Sequence, residues 1–222
     1  MTPLVRCTSV AKSFEGGRLQ ALRGLDLAVG SGEAVAITGP SGCGKSTLLS
    51  ILGGLDRPTS GTVLVDGAAI GAREPLHLYR ARTANFVFQL HNLLFGMTIL
   101  DNVAAPLVGA GAMSGRDRRA RALVMLEAVG LASRANARPP ALSGGERQRA
   151  AVARALVASP RLVLADEPTG NLDSAAGAVV AELLFAQVRA HGATLILATH
   201  DPALAARCDR VLTMRDGVFA GV

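Results

Sequence analysis

Tryptophan is absent from this 222-residue chain, tyrosine occurs once and phenylalanine six times. A surface that holds single-stranded nucleic acid by stacking successive bases on aromatic rings therefore has almost nothing to build with. Cysteine is nearly as scarce. Cys7, Cys43 and Cys208 are odd in number and scattered, which points to free thiols in a reducing compartment and away from a disulfide frame. Their spacing also lacks the close pairs of a zinc site. Lysine is confined to Lys12 and Lys45, and every other basic residue is arginine. Long hydrophobic runs are missing too. The most apolar stretches, "NVAAPLVGAGAM" and "AGAVVAELLFAQV", are short and broken by Pro, Gly or Glu, so no membrane span is expected. The start, "MTPLVRCTSVAKSF", has no apolar core region and does not read as a signal peptide. If the protein serves a membrane, the expectation is that it does so from the cytoplasmic side through a partner.

Half of the residues are apolar and 18% are charged, a balance that supports a sizeable core and argues against disorder. The length suits one large domain or two small ones. The net charge of +6 permits nucleic acid or an anionic membrane surface as partners, although an Arg-rich solvated surface is the simpler account.

No repeat or low-complexity tract interrupts the chain. Strand-like runs are "LVRCTSV", "LRGLDLAV", "EAVAITG", "GTVLVDG", "ANFVFQ", "RLVLADE", "ATLILATH" and "DRVLTMRDG", each short and bounded by Gly, Asp or Arg. Helical patterns begin at Lys45, about Glu74, Asp101, Gly115, Glu146 and Ser174. The early strands read as antiparallel additions, and the later alternation of strand and helix predicts a largely parallel α/β sheet. Between about residues 91 and 159 there are helical patterns, many arginines and no good strand. This interval reads as a helical insertion between two halves of one core, about 1–90 and 160–222.

Four places carry chemistry. "GPSGCGKS" follows the apolar run "AVAIT" and opens a helix pattern, the context a phosphate-binding loop requires. Its glycines expose successive N–H groups to phosphates, Lys45 supplies a compact charge, and Ser46 supplies a hydroxyl for Mg²⁺. Cys43, inside this loop, reads either as a reactive thiol that bound phosphates would protect or as an inert small loop residue. "RLVLADE" delivers two carboxylates at a strand end. Asp166 suits a Mg²⁺ ligand, and Glu167, one residue on, suits a general base facing an attacking water. Gln89 and His200 are polar residues at the ends of two further strand-like runs, each with a structural reading beside the catalytic one. Finally, "LSGGERQ" opens a helix. Ser143 with Glu146 fits a capping box, Gly144 and Gly145 let a ligand approach the backbone, and a helix N-terminus can hold an anion. Phe14, before a Gly-containing turn, reads either as core or as a face for adenine. One chain thus carries two phosphate-facing helix starts.

Taken in order, "GPSGCGKST", "FVFQ", "LSGGERQ", "LADEPTGNLD" and "ATHD" resemble the ATPase subunit of ABC transporters over nearly the whole chain. The resemblance implies an α/β P-loop NTPase core with antiparallel additions and an inserted helical subdomain, forming a single ATP-binding domain over 1–222. It implies an active ATPase that uses ATP and Mg²⁺. Phe14 resembles the adenine-stacking aromatic. Gly39, Pro40, Ser41, Gly42, Cys43, Gly44, Lys45, Ser46 and Thr47 resemble Walker A. Gln89 resembles the Q-loop glutamine, a metal ligand and catalytic residue. Ser143, Gly144, Gly145, Glu146 and Gln148 resemble the signature. Asp166 and Glu167 resemble Walker B and the catalytic glutamate, Asp173 the D-loop acid, and His200 the switch histidine. The same likeness implies a head-to-tail homodimer, or a pair of ATPase subunits, in which the signature of one faces the ATP on the other's P-loop. That would account for the two phosphate-facing starts.

"LGGLDRPTSG", "NLL", "VGL" and "LADEPTGNLDS" resemble more narrowly the branch that serves lipoprotein release, macrolide and peptide export, and a related cell-division complex. That branch usually has a proline after "NLL"; here Phe95 and Gly96 follow. Two transmembrane permease subunits are the expected partners, docking around Gln89 to Val103. The protein would then sit peripherally on the cytoplasmic face of the inner membrane, with no nucleic acid expected. A soluble ABC ATPase acting on nucleic acid or ribosomes is the second reading, kept open by the Arg-rich segment from Arg116 to Arg138. Such proteins usually carry two cassettes or long coiled-coil insertions, and this chain has neither.

Overall fold

A computed structural model describes residues 2–220. The chain runs β1 (Val5–Phe14), β2 (Leu19–Val29), β3 (Ala34–Thr38), α1 (Lys45–Leu52), β4 (Ser60–Val65), β5 (Ala68–Ala69), α2 (Leu76–Arg82) and β6 (Ala84–Val87). It continues through α3 (Ile99–Ala104), α4 (Leu107–Ala110), α5 (Gly115–Ala128) and α6 (Gly144–Leu156). The last part is β7 (Leu162–Asp166), α7 (Ser174–Ala190), β8 (Thr194–Ala198), α8 (Pro202–Ala205), β9 (Arg210–Arg215) and β10 (Val218–Phe219).

Two sheets form. The first is antiparallel with order β2-β1-β4-β5; the second has order β10-β9-β3-β8-β7-β6 and is parallel except for β10. This is the α/β architecture with antiparallel additions that the strand pattern predicted. Helix starts fall within two residues of those expected. Pro75 takes the N-cap of α2, Thr98 caps α3, and Ser143 caps α6.

Side-chain alternation explains why the central strands read as continuous apolar runs. On β7 and β8, Leu162, Leu164, Ile196 and Ala198 face one core with α1 and the antiparallel sheet. Val163, Ala165, Leu195 and Leu197 face the other, with α3, α5, α6 and α7. Successive residues of a strand point to opposite faces, so a strand covered on both sides must be apolar throughout.

The order of the parallel strands decides where the chemistry goes. β8 lies between β3 and β7, and Ala198 is in register with both Ile37 and Asp166. The chain segments leaving β3, β7 and β8 therefore emerge side by side at the carboxyl edge of the sheet, the usual ligand crevice of such folds. No helix among the described residues is long and apolar enough to cross a membrane.

Candidate active site

The loop leaving β3 curls over residues 39–44 into α1. Gly39 has φ of 144°, and a Cβ there would lie 2.1 Å from the Met214 carbonyl oxygen. Gly44 has φ of 112°, and its Cβ would meet the Ala21 carbonyl at 2.5 Å. Both glycines are thus demanded by backbone packed against β2 and β9, in addition to the closeness that phosphates require. Lys45 is 8% exposed, and its Nζ donates to the carbonyls of Gly39 (2.7 Å) and Pro40 (3.0 Å) across the loop. Pro40, Ser41, Gly42 and Ser46 are exposed, and Thr47 is half-buried on the first turn of α1.

Asp166 ends β7 beside this loop. Burial holds its carboxyl above the ordinary value, and the Glu167 carboxylate adds to that, while a hydrogen bond from Ser46 and the Lys45 charge oppose it. A divalent cation between Asp166 and Ser46 would relieve the same unfavourable charge, and both groups are hard oxygen donors. Among the described residues no group of three or more His, Cys, Asp or Glu converges. The Asp166 carboxylate beside the Ser46 hydroxyl suits Mg²⁺, which is bound through one or two carboxylates together with substrate phosphates and water.

Glu167 follows with φ of 44°, a left-handed conformation that is unusual outside glycine. Its N–H donates to the Ala198 carbonyl at 2.9 Å, which locks the turn to β8. Its Oε1 lies 2.9 Å from His200 Nδ1, and its Oε2 accepts from the Thr199 hydroxyl at 3.4 Å. Lys45, Ser46, Asp166, Glu167 and His200 therefore share one corner. Thr199, fully buried, was not singled out in the sequence; its adjacency to His200 was the available signal.

Other expected residues lie elsewhere or point elsewhere. Gln89 is not on β6 but two residues past it, and its Nε2 donates to Asn171 Oδ1 at 3.4 Å. Phe14, at the end of β1, is 38% exposed, so it is no core residue; Lys12 Nζ sits 4.9 Å from its ring centroid. Asp173 caps α7 through Ala176 N–H at 2.8 Å. Cys43 corrects the reactive-thiol reading. It is 5% exposed with its Sγ packed under Gly39 and 3.8 Å from Lys45 Nζ, so its thiol is not presented to solvent and only its backbone can face a phosphate.

Two signature residues are corrected as well. Ser143 Oγ accepts from Glu146 N–H at 3.2 Å, and Glu146 Oε2 accepts from Ser143 N–H at 2.8 Å. The capping box is real, and Glu146 also pairs with Arg134. The Ser143 N–H bond, more than the Arg134 guanidinium, holds its carboxyl below the usual range. Glu146 is therefore a helix cap and not a phosphate contact, which its charge would oppose in any case. Gln148 is 1% exposed and donates to the Phe88 carbonyl at 3.1 Å, so its side chain faces inward and away from the surface of this chain. Ser143, Gly144 and Gly145 remain. Ser143 and Gly145, together with Glu146 and Arg149, border a hollow of about 350 Å³ whose lining includes no residue of 39–47.

The geometry thus divides the two phosphate-facing starts between separate surfaces of the chain. The ABC transporter family profile matches residues 22–170. The chain is 48% identical over 211 residues to the lipoprotein-releasing system ATP-binding protein LolD of Legionella pneumophila (strain Paris), covering 93% of this chain and 92% of that protein. It is 49% identical over 219 residues to LolD of Xylella fastidiosa (strain Temecula1), covering 97% and 91%. The dimeric post-hydrolysis structure of the ATP-binding cassette MJ0796 bound to ADP and Pi superposes with a TM-score of 0.88 at 40% identity, covering 97% of this chain and 96% of that one.

Proposed function

Because this chain belongs to the ABC transporter family and is an ATPase that couples ATP hydrolysis to transport, we propose that it drives lipoprotein release, working with membrane permease subunits at the inner face of the membrane. The 48% and 49% identity to LolD proteins supports the substrate class. The observation that carries the enzymatic assignment is the convergence of Lys45, at the start of α1, with Asp166, Glu167 and His200 beyond the carboxyl edge of three adjacent strands.

In this reading the chain is one ATP-binding domain, with a RecA-like core over about 1–90 and 160–222 and a helical subdomain over about 91–159. The N–H groups of residues 39–47 and the Lys45 ammonium hold the ATP phosphates. Mg²⁺ would be held by Ser46 and Asp166, with Gln89 joining after its side chain turns from Asn171, and would supply positive charge to offset the charge developing on the phosphates. Glu167 orients the attacking water and takes its proton. His200 and the Thr199 hydroxyl hold the carboxylate in place for that role. Phe14 offers its exposed face to adenine. Ser143, Gly144 and Gly145 face the ATP of a second copy, with Asp173 beside that joint.

Leu90, Leu94 and Phe95 are 73%, 53% and 68% exposed on one short segment after β6. Such a cluster of large apolar side chains marks a partner surface, and it is where the permease would dock. Bonds within the chain weigh against the nucleic-acid reading. Arg118, Arg119, Arg121 and Arg134 of the Arg-rich segment bond within the chain, to Met113, Asp101, Val157 with Ser159, and Glu146. Expression with a tagged chain tests the proposal. ATP-dependent release of lipoprotein from vesicles carrying the co-purified permease supports it, and a co-purified permease that releases no lipoprotein refutes the substrate class.

A further inference from the structure

The correction at Gln148 leads further. The turn over residues 88–92 carries Gln89 and the exposed Leu90, and it is bonded to α6 at three carbonyls. Gln148 Nε2 donates to Phe88 O at 3.1 Å, Arg154 Nη2 to His91 O at 2.6 Å, and Arg154 Nη1 to Asn92 O at 2.5 Å. His91 and Asn92 are both left-handed, with φ of 63° and 50°, so the guanidinium fork clamps two consecutive residues in a conformation that costs free energy to hold. Arg154 is half-buried, and among the described residues no carboxylate pairs with it. The next segment is fastened in the same way. Asn102, fully buried on α3, exchanges bonds with Leu94 (2.7 and 3.0 Å) and donates to Thr98 O at 2.9 Å.

We infer that Gln148 and Arg154 are positioning residues that hold the Gln89 turn in register with the start of α6, so that Gln89 and the Ser143–Gly145 edge move as one body. A push on Leu90 or Phe95 would then displace the metal-facing glutamine of one site together with the edge offered to the other. The inference rests on the proposed reading of Gln89 as a metal ligand and Ser143 to Gly145 as a contact in trans. It adds the residues that join them. A planar fork reaching two adjacent carbonyls is a task for arginine and not for lysine.

The test uses Gln148→Leu and Arg154→Lys in the full chain. Gln148 Oε1 has no hydrogen-bond partner, and the Phe88 carbonyl keeps its bond from His91 N–H at 3.2 Å, so the leucine variant is expected to fold. Arg154→Lys keeps the charge but can hold only one of the two carbonyls well. Two measurements are made with a non-hydrolysable ATP analogue: Mn²⁺ affinity by electron paramagnetic resonance, and amide exchange at His91 and Asn92. Both variants should weaken Mn²⁺ binding roughly tenfold, in the range seen when groups supporting a metal ligand are removed, and should speed exchange at the two amides. In a Gln89→Ala background, which itself weakens Mn²⁺ binding, neither variant should weaken it further. If Gln89→Ala weakens Mn²⁺ binding and the two variants do not, the inference falls and the reading of Gln89 stands. If Gln89→Ala leaves Mn²⁺ binding unchanged, that reading falls and takes the inference with it. Additive losses together with a lowered melting temperature would show a purely structural role and also overturn it.

Discussion

Replacing Glu167 by glutamine isolates the proton-accepting role of one carboxylate. The side chain keeps its volume, and its amide oxygen can still accept from the Thr199 hydroxyl now 3.4 Å from Oε2. Its amide nitrogen can donate to His200 Nδ1, now 2.9 Å from Oε1, when the ring proton is on Nε2. The bond from Glu167 N–H to the Ala198 carbonyl is untouched, so the left-handed turn persists. Asp166 also loses a neighbouring negative charge that disfavours its ionised form, so binding of metal and nucleotide should not weaken. What disappears is the base. Removing a positioned general base costs about 10²–10⁴-fold in rate, or about 2.7–5.4 kcal/mol of barrier at 1.36 kcal/mol per decade. Phosphate release measured at saturating Mg-ATP should fall by that factor, while the calorimetric affinity for ATP stays within about threefold, roughly 0.6 kcal/mol. With turnover blocked, Mg-ATP should also drive a stable dimer visible by size-exclusion chromatography. Turnover within threefold of the parent protein would refute the assignment of Glu167 as base. Loss of ATP affinity comparable to the loss of rate would instead show that the carboxylate acts on the ground state.

Lys45→Arg should lose nucleotide affinity almost as fully as Lys45→Ala, because the ammonium is buried between two loop carbonyls at 2.7 and 3.0 Å and a planar fork does not fit there; calorimetry showing parental affinity in the arginine variant would contradict this. Mixing Lys45→Ala with Gly145→Asp should restore part of the ATPase activity, since one composite site of the mixed dimer pairs an intact P-loop with an intact signature; absence of rescue and of one-site nucleotide trapping in proven heterodimers would sink the shared-site arrangement. Asp166→Asn should abolish Mg²⁺-dependent hydrolysis yet stabilise the nucleotide-free chain at pH 7. Burial raises the native Asp166 carboxyl above its unfolded value, so its ionisation opposes folding: the penalty is absent below the unfolded value, grows as pH rises through the raised native value, and is complete above it. Urea unfolding between pH 4 and 7 checks the sign, and a destabilised asparagine variant at pH 7 would contradict it. Cys43 should react with thiol reagents more slowly than Cys208, which is less buried, although burial pushes the Cys208 thiol up to about 11 and narrows the gap; faster modification at Cys43 on peptide mapping would overturn its burial.

Much of the site was written locally in the sequence. A loop that follows an apolar strand and opens a helix carries its own geometry, so residues 39–47 could be read as phosphate-facing without knowing their neighbours. The same holds for Asp166 and Glu167 at a strand end, and for the capping box at Ser143, whose two reciprocal bonds span three residues. Only the tertiary structure decided what depends on partners far along the chain. The strand order sets β8 between β3 and β7, and that alone brings residues 45, 167 and 200 to one corner. Gln148 lies in the same motif as Ser143, but it comes five residues later, more than one helical turn on, and points toward the Phe88 carbonyl sixty residues away. Cys43 looked exposed in a glycine-rich loop, and Met214 with its neighbours on β9 closed over that loop's inner side. Glu146 had two readings until Arg134 and the Ser143 N–H occupied its oxygens. Local sequence specifies backbone conformation through short-range sterics and hydrogen bonds; which way a side chain on that backbone faces is fixed by what the rest of the chain packs against it.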